Sequence, residues 1–154
     1  MSPRPSLWLA LIPLLLASPV RAQGVDAQSR FWNGAMQGDT VAMAQALREG
    51  AMIDSLDTRR NRNGRRALNW AAWYNHVPAI DFLLAHGAPL KARNRTGFTA
   101  LHHAAEAGSL AAARALLAAG ADRNTVNEAG RKPVETARLE GHEEMARLLQ
   151  EAAD

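Results

Sequence analysis

Glycine and asparagine recur along this chain at a constant spacing of 33 residues. A step of this length is typical of proteins built from stacked structural repeats, in which each unit buries its apolar side against the next. The spacing therefore constrains the fold more than any single side chain does. The residues that carry it are Gly64, Gly97 and Gly130, then Asn61, Asn94 and Asn127, and finally Gly87 and Gly120.

The clearest unit, residues 94–126, predicts a pair of helices. Thr99 is placed to cap a first helix that Gly108 ends, and Ser109 is placed to cap a second helix that Gly120 closes. Alanine and leucine recur inside both segments at the spacing of a buried helical face. The predicted helices cover 100–107 and 110–118.

The same pattern divides the chain into four predicted units, of which the first is the least regular. Pro78 and Pro133 stand in the first turn of predicted helices, where a missing N–H costs nothing. The last unit ends in a helix with a polar outer side, which is typical of the terminal cap of a stack. The units cover about 27–60, 61–93, 94–126 and 127–154.

One step in the series is longer than the others. Gly50 and Gly64 are 14 residues apart, whereas Gly87 and Gly97 are 10 apart. Four extra residues therefore lie in the first hairpin between units. Its arginines could bind an acidic protein surface, a phosphate-rich ligand or anionic lipid, or they could simply keep a loop solvated. They are Arg59, Arg60, Arg62, Arg65 and Arg66.

Residues 1–22 have the three parts of a secretory signal peptide. Arg4 gives a positive start, residues 7–17 give an apolar stretch, and Val20 and Ala22 are the small residues of a cleavage site. The apolar stretch is shorter than the roughly 20 residues that a membrane span needs. We therefore expect export, with no stable membrane insertion after cleavage.

The mature chain, residues 23–154, would carry little net charge and no cysteine. The whole sequence has a net charge of +3, and losing Arg4 and Arg21 with the leader would lower it to about +1. Such a weak field argues against nucleic acid as a partner. The absence of thiols suits an oxidising compartment, and the short export signal with an alanine- and arginine-rich composition fits a Gram-negative periplasm. We therefore expect a periplasmic protein, or one secreted from the cell.

The core of the third unit, Thr99 to Ala105, differs by one residue from the motif T-P-L-H-x-A-A. Together with the period, it resembles the ankyrin repeat, and the resemblance covers about Ala27 to Asp154. It implies an all-α solenoid of about four stacked helix-turn-helix units with short β-hairpin turns. It also implies a non-catalytic protein–protein interaction module, whose hairpin tips and first helices form a concave binding surface.

The resemblance also implies which residues touch a partner. Trp73 and Tyr74 have the side chains that interface hot spots favour, although either ring could instead fold over the next unit. Trp32 and Trp70 are expected to pack between helices. The implied partner-binding residues are Arg62, Arg65, Trp73, Tyr74, Arg93, Arg95, Phe98 and Glu106, and further contact positions include Met36, Val126, Glu128, Arg131 and Leu139.

The sequence departs from the family motif at two of its capping positions. The threonine-to-histidine hydrogen bonding that the motif implies can form in full only around Thr99 and His102. The replacements are Arg66 and Lys132 for the threonine, and Asn69 and Glu135 for the histidine.

No motif for catalysis or metal binding is found. The five histidines form neither an i,i+4 pair nor a cluster with cysteine, and a nucleophile elbow and a phosphate loop are missing. We therefore expect no metal, no cofactor and no enzymatic activity. Three functions stay open. The protein could be a monomeric adaptor for a protein partner with an acidic surface, or an inhibitor or immunity-type factor that occludes an enzyme or toxin. It could also have a purely structural role in the cell envelope.

Overall fold

A computed structural model of the protein describes residues 20–59 and 63–151, with side chains from Ala27 onward. Within these residues the chain forms α-helices and no strand, so it is the all-α solenoid that the sequence predicts. The helices are α1 (Val20–Gln37), α2 (Thr40–Arg48), α3 (Ala67–Trp73), α4 (Val77–Ala85), α5 (Ala100–Ala107), α6 (Leu110–Ala118), α7 (Pro133–Leu139) and α8 (Glu143–Glu151).

The helices pack in consecutive pairs, and the pairs stack on one another. Each odd-numbered helix contacts the even-numbered helix that follows it, and α1, α3, α5 and α7 contact one another in a row. A second row is formed by α2, α4 and α6. We call the side formed by α1, α3, α5, α7 and the hairpins that precede α3, α5 and α7 the first-helix face.

Helices α5 and α6 begin and end where the sequence predicts. The Thr99 hydroxyl accepts a hydrogen bond from the His102 N–H at 3.4 Å, and Gly108 ends α5 in the left-handed conformation at φ 68°. The prediction for Ser109 is wrong, because its hydroxyl does not cap α6. It donates instead to the carbonyl of Trp73 at 2.8 Å, and so joins two neighbouring units.

The turn between the two helices of each unit needs a residue with positive φ. Gly38, Asn75, Gly108 and Gly141 hold this position, with φ of 73°, 61°, 68° and 76°. Glycine adopts this conformation without strain, and asparagine tolerates it better than most residues do. The repeat therefore continues through the second unit although its glycine is missing there.

Histidines after two of these turns connect neighbouring units. The Nε2 of His142 donates to the carbonyl of Glu106 at 3.2 Å, and His76 makes the equivalent bond to the carbonyl of Met36 at 3.1 Å. The imidazole of His142 lies so close to Gly108 that a Cβ there would be 2.9 Å from ring atoms. Glycine at this position thus permits both the turn and the approach of the next unit.

The hairpins between units are closed by backbone hydrogen bonds from one asparagine each. The N–H of Asn94 donates to the carbonyl of Phe98 at 2.9 Å, and the N–H of Asn127 donates to that of Arg131 at 3.0 Å. The side-chain oxygen of each asparagine also accepts two backbone N–H groups of its own hairpin. These two hairpins are therefore short and built alike.

The first hairpin is closed by a different residue from the one that the 33-residue series indicates. The N–H of Asp57 donates to the carbonyl of Arg65 at 2.9 Å, so eight residues separate the bonded pair instead of four. The predicted insertion is thus confirmed and lies inside this hairpin. The equivalence of Asn61 to Asn94 is wrong, because Asp57 takes that place; Asn61 itself lies outside the described residues.

The core combines alanines on the first helices with larger side chains between the rows. Trp32 and Trp70 are buried between helices, as predicted. In α8 the outer residues are exposed, which fits the terminal cap that the sequence predicts. None of the described helices has both the length and the apolar character for crossing a membrane. The largest apolar side chains that are fully buried are Phe31, Met43, Ile80, Leu83, Leu101, Leu116 and Met145.

Candidate functional site on the first-helix face

The structure brings most of the predicted contact residues together at the middle of the first-helix face. Trp73 ends α3 and Tyr74 follows it, Glu106 lies in the last turn of α5, and Arg65 and Phe98 stand in the hairpins before these helices. Arg93 and Arg95 lie on the second hairpin, beside this group. Arg62 is outside the described residues.

Arg65 lies over two indole rings. Its guanidinium carbon is 4.7 Å from the ring centre of Trp70 and 4.3 Å from that of Trp73, both within the range of a cation–π interaction. One guanidinium nitrogen is also 3.5 Å from a carboxylate oxygen of Glu106. Arg65 therefore fixes the position of Trp73 and is itself fixed by the next unit.

A chain of hydrogen bonds runs from the second hairpin to Glu106. The amide oxygen of Asn94 accepts the N–H groups of Thr96 and Phe98, so its NH₂ group must point the other way, to His103 Nε2 at 3.2 Å. His103 Nε2 is then an acceptor, and the proton of the neutral ring is on Nδ1. That N–H donates to Glu106 at 3.1 Å.

The electrostatics of this chain follow from burial. Burial lowers the pKa of His103 to about 4, although the neighbouring Glu106 carboxylate works in the opposite direction. For Glu106, burial alone would raise the pKa, but the hydrogen bond from His103 and the charge of Arg65 hold it below its usual range. At neutral pH the site thus contains a neutral imidazole and a carboxylate beside an arginine.

The two neighbouring aromatic side chains differ in what they offer to a partner. The Trp73 ring is half-buried and meets the His103 ring of the next unit edge-on, with 6.1 Å between ring centres. The Tyr74 ring stacks on Trp70 at 6.2 Å and on His76 at 6.3 Å, and yet 43% of its surface is exposed. Trp73 therefore supports the surface, and Tyr74 presents apolar area on it.

Large apolar side chains are exposed at three of the contact positions that the family resemblance implies. Tyr74 is 43% exposed, Val126 is 41% exposed and Leu139 is 63% exposed. Val41 and Met52, in and after α2, are the other large apolar side chains exposed among the described residues. Most of the exposed apolar side chains thus belong to the first-helix face or its hairpins.

Among the described residues, the arginines of the first hairpin pair with carboxylates instead of forming a free basic patch. Arg59 and Arg66 pair with Asp57 and Asp54, each with 2.7 Å between nitrogen and oxygen, and Arg65 faces the carboxylate of Glu106. Arg60 and Arg62 lie outside the described residues. The described arginines of this cluster therefore pair within the protein; Asp54 and Asp57 belong to the same hairpin, and Glu106 comes from the next unit.

Asp57 is a buried carboxylate at the centre of these contacts. It is 0% exposed, it accepts two side-chain hydrogen bonds from Arg59 at 2.8 and 2.7 Å, and it accepts the indole N–H of Trp70 at 3.1 Å. Arg59 also donates to Asn33 and lies over the ring of Trp32. Through Asp57 and Arg59 the long hairpin connects α1 to α3.

Two residues that matter here, Asp57 and His103, were not singled out by the sequence patterns. His103 stands 33 residues after Trp70, and its partner Asn94 belongs to the series of hairpin asparagines, so the period could have paired them. The period could not have identified Asp57 in this way. The four inserted residues place Asp57 37 residues before Asn94 instead of 33.

The remaining histidines bond to backbone groups, which belong to neighbouring elements except for His86, whose ring bonds to the carbonyl of Phe82 in α4. His102 Nε2 donates to the carbonyl of Arg131 at 3.0 Å, while its Nδ1 accepts the Thr99 N–H, which is the full motif bonding that the sequence predicts. Asn69 and Glu135 keep part of it, since each accepts the backbone N–H of its capping residue. Within residues 20–59 and 63–151, no cluster of histidine and acidic side chains could hold a metal ion.

Stacked helix pairs with ordered hairpins along one side define a repeat protein that offers a surface to other macromolecules. Residues 63–95 match the family model for the ankyrin repeat, and residues 87–154 match the model for ankyrin repeats in three copies. Together the matches cover more than half of the sequence, and the chain belongs to the ankyrin-repeat family. A search of curated proteins found no significant match.

The family identifies the kind of activity. Ankyrin repeats indicate a protein–protein interaction module. The matches begin at residue 63, so α1 and α2, which form the least regular pair in the sequence, lie outside both of them.

Proposed function

We propose that the protein is a non-catalytic adaptor that binds a protein partner on its first-helix face, with Tyr74 and Trp73 at the centre. The observation that carries this proposal is the exposed ring of Tyr74 beside an ordered group of aromatic and charged side chains. Aromatic residues next to arginine are enriched among the residues that dominate binding energy.

Order within the site supports the proposal on energetic grounds. Trp73 is held by Arg65 and by the edge of His103, and Arg65 is held by Glu106. Side chains that are fixed before binding lose little conformational entropy on binding, so more of the contact energy remains as affinity. A partner would thus meet a prepared surface.

Recovery of partners by an immobilised protein tests this proposal. The variant Trp73→Ala/Tyr74→Ala should lose the partner, because replacing two aromatic contacts at the centre of an interface weakens binding by about thirtyfold or more. The control is Val41→Ala, which removes an exposed apolar side chain from α2, outside the first-helix face. Equal recovery by wild type, double variant and control would exclude this surface.

The same experiment separates the adaptor from the inhibitor. A recovered partner that keeps its own activity in the complex supports the adaptor. A recovered enzyme or toxin that is inactive in a one-to-one complex would show instead that the protein acts by occlusion.

We also propose that residues 1–22 direct export to the periplasm and are then removed. Support comes from the sequence of that segment, of which Val20 to Ala22 fall in the first turn of α1 and the rest lies outside the described residues. Cell fractionation with mass spectrometry of the N-terminus tests this. A mature protein that begins near Gln23 in the periplasmic fraction is expected; an intact leader in the cytoplasm would contradict it.

A further inference from the structure

The second hairpin, which precedes α5, carries positive charge that no described carboxylate neutralises in an ion pair. Residues 88–99 contain Lys91, Arg93 and Arg95 and no acidic residue. All three side chains are exposed, and within the described residues no carboxylate forms an ion pair with any of them. These cations are therefore available to a partner.

The first hairpin differs in this respect. Its described arginines meet Asp57, Glu106 and Asp54, and so most of their charge is balanced inside the protein. Among the described residues of these two hairpins, the unpaired positive charge therefore lies on the second hairpin.

The backbone around Arg93 and Arg95 is well fixed. Asn94, between them, is buried and is bonded to Thr96, Phe98 and His103, so the two arginines on either side of it are directed outward. Such anchoring lets the two guanidinium groups be presented at a defined spacing instead of on a mobile loop.

Arg95 also connects the basic hairpin to the aromatic site. Its N–H donates to the carbonyl of Asn63 at 3.2 Å, and its side chain covers Gly64 so closely that a Cβ there would be 2.8 Å from the arginine Cγ. The next residue, Arg65, stacks on Trp73. The basic hairpin is therefore joined through Gly64 and Arg65 to the half-buried ring of Trp73.

We propose that the partner presents a segment in which acidic residues meet Arg93 and Arg95 and a following apolar side chain meets Tyr74 and Trp73. This inference rests on the proposed function and names the chemistry of its partner. Exposed ion pairs add modest affinity, but they speed association and exclude partners of the wrong charge, whereas the apolar contact supplies most of the binding energy.

A protein segment fits this surface better than a nucleic acid does. Glu128 is exposed on the neighbouring hairpin, where its N–H donates to the carbonyl of Thr96, and its carboxylate would repel a continuous chain of phosphates. A basic surface for nucleic acid is an extended patch of one sign, which this face is not. A peptide can place its few carboxylates at Arg93 and Arg95 and keep them away from Glu128.

The test uses the mature protein and a short synthetic peptide with consecutive glutamates followed by leucine and phenylalanine. Fluorescence anisotropy at low salt should show binding that Arg93→Gln/Arg95→Gln weakens roughly fivefold. The control variant Arg114→Gln/Arg147→Gln removes the same charge from the exposed sides of α6 and α8 and should bind as wild type does. The peptide with glutamine in place of glutamate should bind as weakly as the arginine variant does.

Three results would overturn the inference: no binding of the acidic peptide, equal losses in both arginine variants, or tighter binding of a single-stranded oligonucleotide of similar length. The proposed function can fail separately. If Trp73→Ala/Tyr74→Ala abolishes recovery of the natural partner while Arg93→Gln/Arg95→Gln has no effect, the binding face stands and the acidic partner does not.

Discussion

His103 shows how a single buried residue can organise the site. Its Nε2 must accept a hydrogen bond because Asn94 can only offer its NH₂ group, and its Nδ1–H then holds Glu106 in front of Arg65. A second proton on the ring would break the bond to Asn94 and place a charge in a site that is 2% exposed. The folded protein therefore favours the neutral form of the His103 ring.

Protonation of His103 should therefore make stability depend on pH. Its pKa is about 4 in the folded protein against an ordinary value of 6.5, so the unfolded chain takes up the proton first as pH falls. Above pH 6.5 the ring is mostly neutral in both states, and His103 does not lower stability. As pH falls from 6.5 toward 4, the free energy of unfolding decreases by up to about 3 kcal/mol. Urea unfolding across that range measures it.

The variant His103→Asn provides the comparison. It should be less stable than wild type at neutral pH and should lose less stability between pH 6.5 and 4. The same decrease in both proteins would show that other groups cause the pH dependence.

At the scale of elements, the turn and the hairpin determine how units meet. Helix limits could be predicted from sequence because caps, glycines and prolines act locally, as Thr99 and Gly108 do. The contact of Asp57 with Trp70 could not be predicted, because the two residues meet only after the long hairpin has folded back. The pairing of Arg65 with Glu106 could not be predicted either, because the two residues belong to different units.

Gly108 should be more sensitive to substitution than its counterpart in the last unit. Alanine at Gly108 or Gly141 would have similar backbone strain, at φ 68° and 76°, worth about 1 kcal/mol. At Gly108 the new methyl group would also push against the His142 ring, whereas nothing lies within 4 Å of the position at Gly141. Gly108→Ala should thus lower the free energy of unfolding more than Gly141→Ala does; equal losses would contradict the close approach.

The buried carboxylate of Asp57 predicts a second difference between variants. Asp57→Ala leaves Arg59 and the indole N–H of Trp70 without their acceptor, and should cost about 3 kcal/mol. Asp57→Asn keeps one acceptor oxygen and should cost less. Chemical unfolding of both variants measures this, and an alanine variant as stable as the asparagine variant would show that these bonds contribute little.

At the scale of the whole molecule, the units of the stack are similar in fold but differ in what they contribute to stability and binding. In a repeat protein each unit contacts only its neighbours, so stability is distributed along the stack. Asp57 and Arg59 strengthen the junction between the first two units, the outer side of α8 closes the other end, and the middle carries the exposed aromatic and basic groups. The sequence period indicates the stack, but this division of roles follows from contacts between units.

Site-specific photo-crosslinking in cells tests directly whether a partner protein binds the first-helix face. A photoreactive amino acid at position 74, on the first-helix face, is compared with the same amino acid at position 41, on α2, both exposed. If the partner binds the first-helix face, irradiation of living cells should give one dominant protein adduct from position 74 and no adduct of that mass from position 41. The same adduct from both positions, or adducts from position 41 alone, would contradict it.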